Sequence, residues 1–385
     1  MVADPRRSGS ARCAGLSRLS LPPLRGEAAV SRPLVLGAGP AGCMAATLLA
    51  RGGAKPILID RDAEVGDALC GGFMSWRTAK RLRHVGLELA DLGAHRVSRL
   101  VLFTGEQEAH CPLPETGFGL SRRALDSAMR AMAMKAGATL EIDRARAIEP
   151  GRIEGERQDW RSEAIFLASG KHDVRGLSRP RADADTALGL RVRIPAQDAL
   201  TALVGDAIEL HFFEGGYAGI VLQEDGAANV CLALRKSLLA KAEGEPSMLL
   251  NYLAEQHPTL GARMAFARAD LPVQTIGAVP YGWIAEDTQP GLYRLGDQAA
   301  VIPSLAGEGM GIALASGEAA ANAFLGNIGA PEWQAGFARR AEPPVRAAKL
   351  IWSVGERASG GRLMTRMAAF APWLARFAMG ISRID

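Results

Sequence analysis

The sequence predicts an α/β (α+β) protein in which a Rossmann-like nucleotide-binding domain on a parallel sheet carries an inserted antiparallel-sheet substrate domain and C-terminal helices. Three observations carry this prediction. Residues 33–46 read as a short apolar strand, the turn Gly37-Ala38-Gly39-Pro40-Ala41-Gly42 and an alanine-rich helix. Residues 188–234 break into segments of period two punctuated by Gly and Asp, the pattern of hairpin-linked strands. Residues 291–297 then form a short strand ending in Asp297, and a small-residue helix follows over 309–324. Two halves of one nucleotide fold, separated along the chain by an antiparallel sheet, account for all three.

In the first unit Gly37 allows the tight turn, Gly39 lets backbone approach a pyrophosphate, and Gly42 lets helix and strand pack closely. Pro40 and Ala41 open the helix, whose unpaired N–H groups and positive dipole end face the phosphates. A second apolar run, 56–59, ends in Asp60, with Arg61 beside it. An acid there accepts from ribose hydroxyls and disfavours a 2′-phosphate, so FAD or NAD is expected rather than NADP.

Beyond Asp60 the pattern predicts a loop from Arg61 to Gly72, a helix near 74–85 and a strand over 97–103. A helix over 121–136 has Leu125, Ala128, Met129, Met132 and Met134 as its apolar positions, and a strand at 139–142 follows. Residues 164–170 are another buried strand, closing in a small-residue turn at Gly170. The inserted strands fall at 188–194, 207–213, 219–223 and 228–234, with a helix at 247–256. These elements group into a disordered extension (1–32), a discontinuous FAD-binding domain (33–95, 119–180 and 276–330), a substrate domain (96–118 and 181–275) and C-terminal helices (331–385).

Composition excludes several classes. The chain of 385 residues is 48% hydrophobic and 22% charged, ordinary for a soluble globular protein with a large core. A net charge of +4 gives no case for nucleic acid as a partner. Cys13, Cys43, Cys70, Cys111 and Cys231 are widely separated and the histidines show no ligand spacing, so neither a metal site nor a disulfide framework is expected, and a cytoplasmic setting fits. Arg6-Arg7 lies in an Arg/Ser/Pro-rich stretch with no apolar run close behind, which reads as an extension or an upstream start codon rather than a targeting signal.

Residues 296–311, Gly296-Asp297 through Gly307-Glu308-Gly309-Met310-Gly311, form a second cradle. Asp297 suits a polyol hydroxyl, and N–H groups near Gly309–Gly311 suit a carbonyl that gains negative charge. A flavin supplies both groups, so Asp297 and the helix start turn the choice between NAD and FAD toward non-covalent FAD.

These motifs resemble the flavoprotein superfamily of aromatic-ring hydroxylases and geranylgeranyl reductases over residues 33 to about 325. Gly37, Gly39, Gly42 and Asp60 match its nucleotide motif, Gly296 and Asp297 its ribityl-binding Gly-Asp, and Arg122 with Leu125 and Asp126 its middle motif. Gly307–Met310 and Cys70-Gly71-Gly72 are similar to the reductase branch, in which the Cys-Gly loop borders the flavin ring. Gly215–Gly219 departs from that branch's Tyr-x-Trp-x-Phe sheet motif, and no Trp-x-Trp-x-Ile-Pro stretch is present.

The resemblance implies an FAD-dependent oxidoreductase acting on a hydrophobic small molecule of isoprenoid, polyketide or aromatic type. It would hydroxylate that molecule through a flavin peroxide, or reduce or oxidise a C–C bond by hydride transfer. The alternative is a non-catalytic lipid- or protein-binding module. With no second G-x-G-x-x-G, NAD(P)H is expected as a transient electron donor. Tyr217 is a candidate substrate contact, no acid–base side chain is singled out, and Lys171-His172-Asp173 reads as structural. The basic, aromatic C-terminal helices suggest peripheral membrane contact or a cap on the substrate domain.

Overall fold

The computed structural model describes residues 32–180 and 186–384. The expected extension lies outside the described residues except for Arg32, whose Nε donates to the Lys55 carbonyl at 3.0 Å. Strands and helices are numbered along the chain. A five-stranded parallel sheet runs in the order β16 (Leu292–Arg294), β10 (Ile165–Leu167), β1 (Leu34–Leu36), β2 (Ile57–Asp60), β6 (Thr139–Ile142). Its strands are apolar on both sides because both faces are covered. Val35, Leu58, Phe166 and Tyr293 point into the helical core, and the alternate residues Leu36, Ile59, Leu167 and Leu292 into a second cluster.

The helical layer is built around α1 (Pro40–Arg51), which packs between α3 (Arg122–Ala136) and α8 (Gly309–Leu325), with α2 (Trp76–His84) against α8. The opposite face is covered by a small antiparallel sheet of β7 (Ala145–Glu149), β8 (Arg152–Gly155) and β9 (Asp159–Arg161). That sheet was not expected: its segment is rich in Arg and Glu, and Ala145, Ile148, Ile153 and Trp160 face inward to join the core.

The inserted sheet has eight strands in the order β15 (Gln274–Val279), β11 (Ala187–Ile194), β14 (Ala228–Arg235), β13 (Gly216–Leu222), β12 (Ala207–Phe213), β4 (His95–Thr104), β5 (Gln107–Gly119), β3 (Phe73–Met74). It is mixed rather than wholly antiparallel, because β12 pairs parallel with β4. Those two strands come from separate excursions of the chain, so no hairpin forces them to run in opposite directions. One face carries Leu190, Val192, Ile220 and Val230, a core capped by α4 (Asp198–Val204), α5 (Lys236–Ala240), α6 (Pro246–Gln256) and α7 (Pro258–Met264). The other carries Leu100, Tyr217 and Ala233, and is met by α9 (Ala330–Gly355), α10 (Ala358–Phe370) and α11 (Pro372–Ile381).

Candidate flavin site

A cavity of about 1020 Å³ opens between the C-terminal ends of β1, β2, β10 and β16 and this second face. Open parallel sheets bind ligands at that position. At one end Gly37 adopts φ +105°, and a Cβ there would run into the Ala168 carbonyl. A Cβ on Gly42 would strike the Gly37 carbonyl oxygen, so this glycine serves packing and is not on the cavity wall. Gly39 faces the cavity beside Arg122, and as N-cap of α1 it leaves the first N–H groups without a side-chain cap. Pro40 and Ala41 follow along the wall.

Asp60 ends β2 and uses both oxygens locally, Oδ2 accepting the Ala38 N–H at 2.6 Å and Oδ1 the Asp62 N–H at 2.9 Å. Oδ1 also faces the Arg130 guanidinium at 3.5 Å, and Oδ2 keeps a lone pair for a further donor. Arg61 turns outward to Asp62 at 2.8 Å while remaining on the cavity rim. Arg122 makes a two-pronged bond to Asp126 at 2.8 and 2.6 Å. Burial raises the Asp126 carboxyl, and the guanidinium of Arg122 pulls it back.

The loop from Arg61 to Gly72 forms one wall and is fastened from several directions. Asp67 caps α3 by accepting from Arg122 N and Arg123 N, and it pairs with buried Arg191 on β11. Despite its partial burial, the Arg191 guanidinium holds the Asp67 carboxyl below the usual range. Lys171 Nζ donates to the Leu69 carbonyl at 3.0 Å, and Asn229 Nδ2 donates to the carbonyls of Cys70 and Gly71 at 3.1 and 2.8 Å. Cys70 and Gly71 are thereby held on the cavity wall, and a Cβ on Gly71 would meet only open space.

The second cradle sits beside the first. Gly296 lies against Ala41 of α1, and Ser316 of α8 accepts its N–H at 2.8 Å. Asp297 and Gly170 line the cavity, bridged by Arg179 and Gln298, which donate to backbone oxygens on either side. Gly307, Gly309 and Met310 line the next stretch, and α8 starts there with no side-chain cap. Gly311 is off the wall, directly over the Glu308 carboxylate. Glu308 is 0% exposed; it accepts from Arg383 Nη1 at 2.7 Å and from Ser75 Oγ at 3.3 Å, and its Oε1 has no partner among the described residues. Burial pushes the Glu308 carboxyl up, and Arg383 opposes that push. Arg383 also stacks on Trp76 with its guanidinium carbon 4.5 Å from the ring centroid.

Past the second cradle the walls become apolar, with Leu100, Leu113, Ile208, Leu210 and Met379. Among them stands a group of three hydroxyls: Tyr217 Oη donates to Ser304 Oγ at 2.9 Å, and Tyr281 Oη lies 2.7 Å from the same oxygen. Trp352 packs edge-on against both tyrosine rings, at 5.9 and 5.5 Å.

A family profile described as FAD binding domain matches residues 31–146. The chain is 29% identical over 328 residues to digeranylgeranylglycerophospholipid reductase 2 of Methanopyrus kandleri, covering 80% of each. It is 26% identical over 316 residues to the menaquinone reductase of Mycobacterium tuberculosis, covering 75% of each. It superimposes on a geranylgeranyl bacteriochlorophyll reductase-like protein of Thermoplasma acidophilum with TM-score 0.70 and 21% identity, covering 88% of this chain and 91% of that one. A flavin-dependent brominase superimposes with TM-score 0.71 and 16% identity, covering 92% and 94%, a likeness of fold. Together these likenesses support an FAD-dependent oxidoreductase, similar to the geranylgeranyl reductases in sequence and to flavin-dependent enzymes in fold. A non-catalytic module is not supported.

The oxidoreductase fits its cofactor on structural grounds. Gly39, Gly71, Gly170 and Gly309 come from four separate segments, and a Cβ at any of them would enter the same elongated cavity or stand at its edge. Two uncapped helix N-termini face that cavity, one at each cradle. Apart from Gly42 and Gly311, every site residue named from the sequence lines it. Lys171, Arg191, Asn229, Tyr281, Ser304 and Arg383 were not legible as site residues. Of these, only Lys171 carried a local signal, its place directly after the Gly170 turn.

Proposed function

We propose that this oxidoreductase reduces a C–C double bond in an isoprenoid-type lipid rather than hydroxylating its substrate. The observation that carries this reading is the likeness, over about four fifths of the chain, to relatives that are named reductases, whereas the halogenating neighbours share the fold at far lower identity. The apolar end of the cavity supports it. Bound FAD would supply hydride transfer; NAD(P)H would reduce it as a transient visitor. The FAD would be held at Gly37, Gly39, Pro40, Ala41, Asp60, Arg61 and Arg122 on the nucleotide side. Cys70, Gly71, Gly170, Gly296, Asp297, Gly307, Gly309 and Met310 would hold it toward the ring. Tyr217 would touch the substrate. In this reading segments 33–95, 119–180 and 276–330 act as the FAD-binding domain, and 96–118 with 181–275 as the substrate domain. Incubating the FAD-loaded, chemically reduced protein with a polyprenyl lipid under nitrogen should yield product two mass units heavier per bond reduced. Product sixteen mass units heavier, formed only with oxygen, would overturn the reading.

The same reading places α10 and α11 on a bilayer surface. No helix among the described residues is long and apolar enough to cross a membrane. Yet Phe370 is 90% and Trp373 66% exposed, Leu363, Met367, Phe377 and Ile381 share the patch, and Arg362, Arg366 and Arg376 flank it. Aromatic side chains among arginines suit an anionic interface. The protein should co-sediment with phosphatidylglycerol vesicles, more weakly as salt rises. Phe370→Glu together with Trp373→Glu should abolish this; unchanged sedimentation would refute it.

A further inference from the structure

We propose that Tyr217, Ser304 and Tyr281 form a subsite for an uncharged, hydrogen-bond-accepting oxygen of the substrate, of carbonyl or quinone type. The inference rests on reading the cavity as the site of a hydrophobic substrate and adds a polar anchor to it. Three hydroxyls carry three protons. The two bonds that join them, Tyr217 to Ser304 and Tyr281 to Ser304, use two. Whichever way the Tyr281–Ser304 bond points, one proton is left without an acceptor inside the group. Tyr217 is almost fully buried, whereas Ser304 and Tyr281 both line the cavity, so the free proton, on one or the other, lies at the cavity wall.

An unused O–H in an apolar wall discriminates strongly, because a ligand lacking the acceptor leaves the donor unsatisfied. The chemistry selects a neutral oxygen over an anion. Burial raises both phenols, Tyr281 to about 12 and Tyr217 well above the usual value, so the group stays protonated. Arg383, the cation on this part of the wall, is committed to Glu308. Trp352 braces both rings from behind and keeps the oxygens together.

The test compares binding of menadione, a small quinone, with 2-methylnaphthalene, its carbonyl-free counterpart, to the oxidised FAD-loaded protein by calorimetry. Native protein should prefer the quinone by about tenfold, the net worth of one hydrogen bond. The triple variant Tyr217→Phe, Tyr281→Phe, Ser304→Ala should lose that preference while keeping its affinity for methylnaphthalene. It removes the whole network and strands no partner, so it should unfold at a higher temperature than Ser304→Ala alone, which orphans two tyrosine hydroxyls. Equal affinity of native protein for both probes, or a preference that survives in the triple variant, overturns the subsite and leaves the hydrophobic-substrate reading standing. Weaker FAD binding by the triple variant, with no quinone preference in the native protein, would assign the free proton to the cofactor instead and also overturn it. Failure to bind either probe would overturn both readings.

Discussion

Replacing Arg383 by methionine is expected to cost about 3–5 kcal/mol of unfolding free energy, because it strands a buried carboxylate. Glu308 is fully enclosed, and its remaining donors, the Ser75 hydroxyl at 3.3 Å and the Ile384 backbone, are uncharged. Both partners are out of water: burial raises the Glu308 carboxyl and lowers the Arg383 guanidinium, and mutual attraction restrains both shifts. The double variant Arg383→Met with Glu308→Gln should recover most of the loss, since a neutral amide in place of the carboxylate removes the uncompensated charge. Urea unfolding of the two single variants and the double variant gives the coupling directly. A loss below about 1 kcal/mol in Arg383→Met would be the value of an exposed pair and would contradict the buried geometry.

The second large effect separates two glycines of one turn. Gly39→Val should leave a folded protein whose FAD affinity falls about 10- to 100-fold, the result of overfilling a fitted site by about 1–3 kcal/mol. Its Cβ would point past Arg122 into the cavity. Gly42→Val should instead destabilise the fold by about 3 kcal/mol or more, because its Cβ meets backbone that cannot move aside. The obstacle is the carbonyl of Gly37, itself held by a 2.7 Å bond from its N–H to Ile59. Circular dichroism melts and FAD fluorescence titrations read the two effects apart. Equal FAD loss at equal stability in both variants would refute the division of roles.

The parts of the site legible in the sequence are those whose function lies in the backbone. Gly37, Gly39, Gly42 and Gly296 are needed by the local course of the chain, and Asp60 and Asp297 sit where strands end, so neighbours in sequence reveal them. The three-hydroxyl group has no such signature, since Tyr217, Tyr281 and Ser304 meet only after two sheets have docked. Likewise nothing near Arg383 announces Glu308, which lies 75 residues away. The parallel β4–β12 pair and the β7–β9 sheet escaped notice for related reasons. Pairing between distant segments leaves no local period, and a charged segment with few inward residues hides its alternation.

The order of strands in the parallel sheet also governs when the site can come into being. Leu34 pairs with Ile165, and Ile165 with Leu292. The first glycine turn is therefore made before any strand of the eight-stranded sheet, while β16, which completes the turn's own sheet just ahead of Asp297, is made after all of them. Loop closure on that scale is slow, and an open strand edge waits exposed until it is met. Cofactor capture in this protein is consequently a late event in the life of the chain. FAD supply during synthesis should govern how much of it escapes aggregation.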